Sequence, residues 1–186
     1  MSADLKDLLT ASYKPQKEAT ASLSKKGYTW DPELSTMTTK VFTDQTGSPV
    51  VLHRGSVRVS DWLASNAPLA FGLEKYSPRF KESKKTIEQV KIKYPGRNVT
   101  SVGHSLGGAL AEKSGADKVV TYQKGSGLFD IGRTIGSNQT DVKSKWDLPS
   151  ALSSWQTGGT RINLGGSINP LETHAVKALP EGLVFV

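Results

Sequence analysis

Cysteine is absent from this chain of 186 residues, which excludes disulfide bonds and metal sites built from thiolates. No apolar run approaches the about 20 residues that a membrane-spanning helix needs. The first residues also lack the basic and then apolar pattern of a signal peptide. These absences predict a protein with no transmembrane segment or signal peptide, in a reducing compartment such as the cytoplasm, although secretion by another route stays open.

Acidic residues are outnumbered, with 24 Lys and Arg against 17 Asp and Glu and a formal net charge of +7. A positive surface favours anionic partners. We therefore expect peripheral contact with an anionic membrane surface and no specific nucleic-acid site. Scattered lysines that only keep the protein dissolved explain the charge equally well.

One short segment, residues 99–110, carries most of the functional information. It reads as a buried strand, then Gly-His-Ser-Leu-Gly at 103–107, then a helix. Gly103 and Gly107 flank Ser105, as a sharp strand-to-helix turn requires, and the free N–H groups of the helix would face negative charge beside the serine. The pattern is typical of the nucleophile elbow of α/β-hydrolases. Because the chain has 18 glycines, a glycine-rich turn without catalytic function is the alternative.

The remaining pattern predicts a trimmed α/β-hydrolase, with a mostly parallel central sheet flanked by helices, as one domain over residues 1–186. Residues 1–29 are expected to form a short helix, over 3–13, and an irregular extension. The predicted strands are 41–43, 50–52, 99–102, 118–122, 141–146 and 161–164. The predicted helices include one that begins at Pro78 after the N-cap Ser77 and ends at Pro95-Gly96, and the segment from the elbow to about 115.

A catalytic serine needs a base, and the chain offers three histidines. In this fold the order along the chain is serine, acid, histidine. His53 and His104 precede Ser105, so His174, which follows the last predicted strand, is the candidate base. In isolation, a surface histidine near the C-terminus would be the simpler interpretation.

Four aspartates lie between Ser105 and His174, and one must orient the imidazole if the triad is complete. Asp147 is our candidate, because it follows a predicted strand at the end of the sheet where catalytic loops gather. A helix cap for the segment that opens at Pro149 is the competing interpretation. Of the other aspartates, Asp117 precedes a predicted strand, Asp130 lies in a glycine-rich loop and Asp141 begins a predicted strand.

An oxyanion hole needs two backbone donors. The N–H of Leu106, directly after the nucleophile, is one. The segment His53-Arg54-Gly55-Ser56, which follows a strand, suits the other, with Ser56 as the donor. An ion pair for Arg54 and an ordinary turn for Ser56 are the structural alternatives. No cofactor or metal ion is needed for such a site.

The segment after this loop, residues 60–72, is rich in apolar side chains. Its position predicts a lid that covers the serine and meets lipid. Packing of the same side chains into the core of a trimmed fold is the alternative.

The motif Gly-His-Ser-Leu-Gly-Gly-Ala-Leu at 103–110, with His-Arg-Gly-Ser at 53–56, resembles the class 3 (fungal lipase-like) lipases. Asp147-Leu148-Pro149 is similar to the segment around the family's acid, and His174 falls where the family has its histidine. The similarity runs from about Trp30 to Ala178, and the compact cysteine-free form is similar to lipase-like proteins of large DNA viruses and their satellites. The chain departs from the family in three places. His53 stands where the family usually has phenylalanine, and Gln123-Lys124-Gly125-Ser126-Gly127 replaces the family's Gly-Ser-Pro-Arg-x-Gly after the strand that follows the elbow helix. The lid region is also short.

The resemblance implies a serine carboxylic-ester hydrolase, a lipase or phospholipase-like esterase, that is cytoplasmic or associated with a virus particle. Its site would consist of Ser105, Asp147 and His174, with Ser56 and Leu106 as the oxyanion hole and a lipid or other ester as substrate. A rival within catalysis is an esterase, peptidase or acyltransferase that uses the same triad on a soluble substrate. The alternative from another class is a hydrolase-like scaffold with weak or lost activity that binds anionic lipid or nucleic acid.

Overall fold

The β-branched segments of the chain form a sheet whose strand order equals the chain order. A computed structural model describes residues 3–56, 77–126, 130–145, 147, 150, 155–165, 167 and 169–184. Within these residues the sheet has seven strands: β1 (Thr29–Trp30), β2 (Thr39–Thr43), β3 (Pro49–His53), β4 (Thr100–His104), β5 (Lys118–Tyr122), β6 (Gln139–Ser144) and β7 (Thr160–Leu164). The first three strands pair antiparallel, and β3 to β7 pair parallel, so the predicted mostly parallel sheet is confirmed.

Helices cover both faces of this sheet. They are α1 (Leu5–Tyr13), α2 (Gln16–Ser24), α3 (Pro78–Lys93), α4 (Leu106–Lys113), α5 (Pro170–His174) and a 3₁₀ turn at Val176–Ala178. Side chains alternate along each strand, so Leu52 and Val102 pack with the leucines of α1, whereas Val51 and Val119 pack with Ile87 and other residues of α3 and α4. The central strands β3 and β4 are therefore buried on both sides, whereas β7 at the edge is partly exposed.

The N-terminal region differs in part from the expectation. The helix predicted over 3–13 is present as α1, but the region 14–29, expected to be irregular, contains α2. Only Ala19 and Leu23 of α2 are buried. Two buried apolar side chains in nine residues are too few to show the helical period in the sequence. The helix is stabilised by packing against the rest of the fold and not by its own sequence pattern.

The two ends of the described chain meet. The Leu5 N–H donates to the carbonyl of Leu183 at 2.7 Å, and the Gly182 N–H donates to the Asp4 carboxylate at 2.7 Å. Leu179 is buried in the same core as α1. Helix α1 is thus fixed by the last part of the described chain.

The predicted lid, residues 60–72, lies outside the described residues. Among the helices that the structure describes, none is long and apolar enough to cross a membrane.

Candidate active site

Ser105 lies at the turn between β4 and α4, with backbone angles φ 57° and ψ −126° that a non-glycine residue rarely adopts. Its N–H donates to the carbonyl of Tyr122 at 3.2 Å, and its own carbonyl accepts from the N–H groups of Gly108 and Gly125 at 2.9 and 3.0 Å. These bonds stabilise a strained backbone at a single position. The turn predicted from the sequence is therefore present, with the serine at its tip.

The glycines of this turn have no room for a side chain. A Cβ at Gly103 would collide with the backbone of Gly107, and one at Gly107 would collide with the carbonyl of His53. A Cβ at Gly108 would lie 2.6 Å from the Cβ of Lys124, in the segment after β5. Contacts of this kind explain why the motif needs glycine on both sides of Ser105 and directly after it.

The loop at residues 53–56 lies against the nucleophile. A Cβ at Gly55 would be 2.7 Å from the carbonyl oxygen of His104 and 3.4 Å from the Cβ of Ser105. The N–H groups of Ser56 and Leu106 donate to no acceptor that the described residues supply. Two backbone donors without an acceptor in the described part of the chain therefore lie on the elements that flank Ser105, the arrangement that an oxyanion hole needs.

Asp147 and His174 form a buried pair. The His174 Nδ1–H donates to Asp147 Oδ1 at 2.5 Å, and both side chains are less than 5% exposed. The other carboxylate oxygen of Asp147 accepts the N–H of Ser150 at 2.9 Å, which is the contact of a capping residue. Asp147 therefore contacts both His174 and the backbone of Ser150, and the segment expected to open a helix at Pro149 lies mostly outside the described residues.

The other three aspartates have different partners. Asp117 forms an ion pair with Lys91 at 2.7 Å, Asp130 one with Arg133 at 3.1 Å, and Asp141 one with Lys124 at 2.7 Å. Of the four candidates, Asp147 is the one whose carboxylate contacts His174.

His174 is the last residue of α5, and its ring lies beside the residue that precedes the nucleophile. The ring centroids of His104 and His174 are 4.8 Å apart. Among the hydrogen bonds of the described residues, none joins Ser105 Oγ to His174. Catalytic hydrogen bonds often form fully only in the complex with substrate.

A second buried histidine positions the first, and the sequence analysis did not find it. His104 Nε2 lies 2.7 Å from the carbonyl of His174 and therefore donates, which leaves Nδ1 to accept the hydroxyl of Tyr13 at 2.8 Å. Burial lowers the pKa of His104 to about 3, and the adjacent His174 acts in the same direction. His104 is thus a neutral link between α1 and the backbone of His174.

His53, where the resemblance leads one to expect phenylalanine, is a core residue. It is fully buried, and its Nε2 lies 2.9 Å from Ser101 Oγ. Burial lowers its pKa to about 3, with the charge of Arg79 acting in the same direction. A neutral imidazole with a polar partner replaces the aromatic ring here.

A cavity of about 440 Å³ lies beside Asp147, at the carboxyl ends of β6 and β7. Its lining includes Lys143, Lys145 and Asn163. The described residues contain no group of three His, Asp or Glu side chains arranged to hold a metal ion.

No family model and no curated protein matches the chain. Solved structures of fungal lipases do match it. The Rhizomucor miehei lipase, in a propeptide complex, superposes with a TM-score of 0.57 at 17% identity, over 87% of this chain and 65% of that one. Lip2 lipase from Yarrowia lipolytica gives a TM-score of 0.55 at 15% identity, over 91% of this chain and 80% of the lipase. A triacylglycerol lipase whose catalytic centre is formed by a serine protease triad gives a TM-score of 0.52 at 16% identity, over 78% of this chain and 70% of the lipase.

Identities this low show the fold alone. The chain spans about two thirds of the Rhizomucor lipase. It therefore has a trimmed α/β-hydrolase fold, similar to that of the fungal lipases.

Proposed function

We propose that this protein is a serine carboxylic-ester hydrolase that acts on lipid esters. The observation that carries the proposal is the buried Asp147–His174 pair beside an elbow that presents Ser105. An imidazole whose Nδ1–H is bonded to a carboxylate has its other nitrogen free as a base. A helix cap alone does not need that pairing.

The reaction follows from these positions. Ser105 Oγ attacks the ester carbonyl carbon while His174 Nε2 takes the hydroxyl proton, and the N–H groups of Ser56 and Leu106 stabilise the oxyanion. His174 then gives the proton to the leaving alcohol, and an acyl group remains on Ser105. Water, deprotonated by His174, attacks the acyl-enzyme, and the acid is released as His174 returns that proton to Ser105 Oγ. Throughout, Asp147 holds the imidazole in one tautomer and stabilises its charged form.

The substrate class rests on the solved structures. The matching proteins are lipases, and one is a triacylglycerol lipase. A lipid ester is therefore the substrate that we favour over a soluble ester.

A catalytically weak scaffold that binds anionic lipid is the second candidate. It is favoured by the missing hydrogen bond between Ser105 and His174 among the described residues, together with the net charge of +7.

Covalent labelling with a fluorophosphonate probe separates the two. An esterase reacts with the probe at Ser105. The change Ser105→Ala is expected to abolish labelling and to lower the rate of p-nitrophenyl ester hydrolysis at least about a thousandfold. Ser114→Ala is the matched control, since Ser114 is a buried serine at the other end of α4. A folded protein that fails to react with the probe, or a Ser105→Ala variant with full turnover, would contradict the proposal.

A further inference from the structure

A second cavity, of about 620 Å³, lies where the connection between α1 and α2 faces the start of β2. Three cationic side chains line it, those of Lys14, Lys40 and Arg54. Neither Asp nor Glu occurs among the described residues of its lining. The described lining is therefore positive, and a carboxylate outside it, that of Glu82, accepts a hydrogen bond from the lining residue Thr36 at 2.6 Å.

These cations are poorly matched by the protein itself. Lys40 is only 3% exposed, and its Nζ donates to the carbonyl of Ser12 at 2.6 Å, a neutral acceptor. Arg54 Nε is buried with no hydrogen-bond acceptor, and none of the three cations forms an ion pair within the described part of the chain. Burial and the charge of Arg54 lower the pKa of Lys40 to about 8, so the ammonium still exists at neutral pH. Buried charges of one sign are costly unless an anion completes them.

The same cavity reaches the N-terminus of α2, a helix of nine residues. Its N-cap is Pro15, which provides no side-chain acceptor for the first N–H groups. Free amides at a helix start attract anions, and here they line the same cavity as the buried Lys40.

The cavity adjoins the residues that support the candidate active site. Arg54 lines it, and the next residue, Gly55, packs against Ser105. Tyr13 also lines it, and its hydroxyl bonds to His104. The cavity therefore borders the candidate active site across Tyr13 and the loop at residues 53–56.

We propose that this cavity is a subsite for a phosphate group carried on the ester substrate, as in a glycerophospholipid. The inference rests on the proposed esterase function and narrows its substrate class. A phosphate offers several acceptor oxygens and at least one negative charge, which matches an ammonium, a guanidinium and helix amides that converge from different elements.

Binding is tested with inorganic phosphate by isothermal titration calorimetry, which needs no catalysis. Lys14→Gln and Lys40→Met are expected to weaken phosphate binding about tenfold each, as loss of a charge-assisted hydrogen bond does. Lys25→Gln is the matched control, an exposed lysine after α2 that is not in the lining, and it is expected to bind as wild type. Since Lys40 is buried, thermal unfolding checks its variant, and the partly exposed Lys14 provides the independent change. Equal weakening in Lys25→Gln, or none in Lys14→Gln and Lys40→Met, would overturn the site.

Substrate preference is tested with dihexanoyl phosphatidic acid and dihexanoylglycerol, which differ by the phosphate. We expect a higher kcat/KM for the phosphate ester, with the ratio of the two values falling about tenfold in Lys14→Gln and Lys40→Met and unchanged in Lys25→Gln. Equal ratios in all proteins, with both esters hydrolysed, would overturn the subsite and leave the esterase. Lysine-dependent phosphate binding without hydrolysis of either ester would overturn the esterase and the substrate role, and would assign the site to free phosphate.

Discussion

At the scale of single residues, Asp147 uses its two carboxylate oxygens for different partners. One accepts the imidazole N–H of His174, and the other accepts the backbone N–H of Ser150. An amide can replace the second contact but cannot fix the imidazole in the tautomer that a base requires.

We therefore expect Asp147→Asn to keep most of the free energy of unfolding. We expect kcat/KM to fall by a factor between about 10² and 10⁴, because the imidazole loses control of its tautomer. Asp141→Asn is the matched control, because Asp141 is also buried but pairs with Lys124. That change is expected to lower the melting temperature more than the turnover of folded protein. Steady-state kinetics and thermal melts measure both, and the reverse pattern would mean that Asp147 is not the acid.

The two buried histidines predict how stability varies with pH. Burial holds the pKa values of His53 and His104 at about 3 in the folded protein, against about 6.5 in the unfolded chain. Below pH 6.5 the unfolded chain binds protons that the folded protein does not. The free energy of unfolding is therefore expected to fall by about 1 kcal/mol for each histidine between pH 6.5 and 5.5, and the slope approaches about 1.4 kcal/mol per pH unit below that, until the folded protein also titrates.

Urea unfolding between pH 6.5 and 5.5 measures this slope. In His53→Asn the slope should be smaller by about the contribution of one histidine. A variant with the wild-type slope would show that His53 is protonated in the folded protein as well.

At the scale of elements, α1 supports a site to which it contributes no reacting atom. Its last residue, Tyr13, bonds to His104 Nδ1, and His104 bonds to the carbonyl of His174 at the end of α5. The position of the base therefore depends on a helix 91 residues away from His104 along the chain.

Tyr13→Phe removes one neutral hydrogen bond, so we expect kcat to fall about fivefold while KM for a soluble ester changes less. Tyr28→Phe is the control, a buried tyrosine whose hydroxyl has no hydrogen bond with the described residues. An equal loss in both variants would reduce the role of Tyr13 to general packing.

The elements that could be predicted from the sequence are those with strong local patterns. Val50, Val51 and Leu52 identify β3, and Gly-His-Ser-Leu-Gly identifies the elbow, because apolar β-branched runs and glycine spacing act over a few residues. Helix α2 has too few buried side chains to show a pattern. The link from Tyr13 to His104 and the burial of Lys40 depend on contacts between distant segments, which no local pattern contains.

At the scale of the whole molecule, the net charge of +7 predicts attraction to anionic membrane surfaces. We expect binding to vesicles that contain anionic phospholipid and little binding to neutral ones. The attraction should fade as salt rises, since the screening length falls from about 10 Å at 0.1 M to about 3 Å at 1 M. Vesicle sedimentation at both salt concentrations measures this. Binding that is equal for both vesicle types at all salt concentrations would show that the charge has no part in membrane contact.

The strand order of the sheet predicts the order in which parts of the protein fold. Each strand that the structure describes pairs with its neighbour in chain order, so the sheet can grow one neighbour at a time, with one long connection between β3 and β4. The nucleophile follows β4, in the middle of this series, whereas the acid follows β6 and the base follows β7. During refolding, burial of the central strands can therefore precede the meeting of Asp147 with His174. Recovery of activity should be the slowest signal of folding.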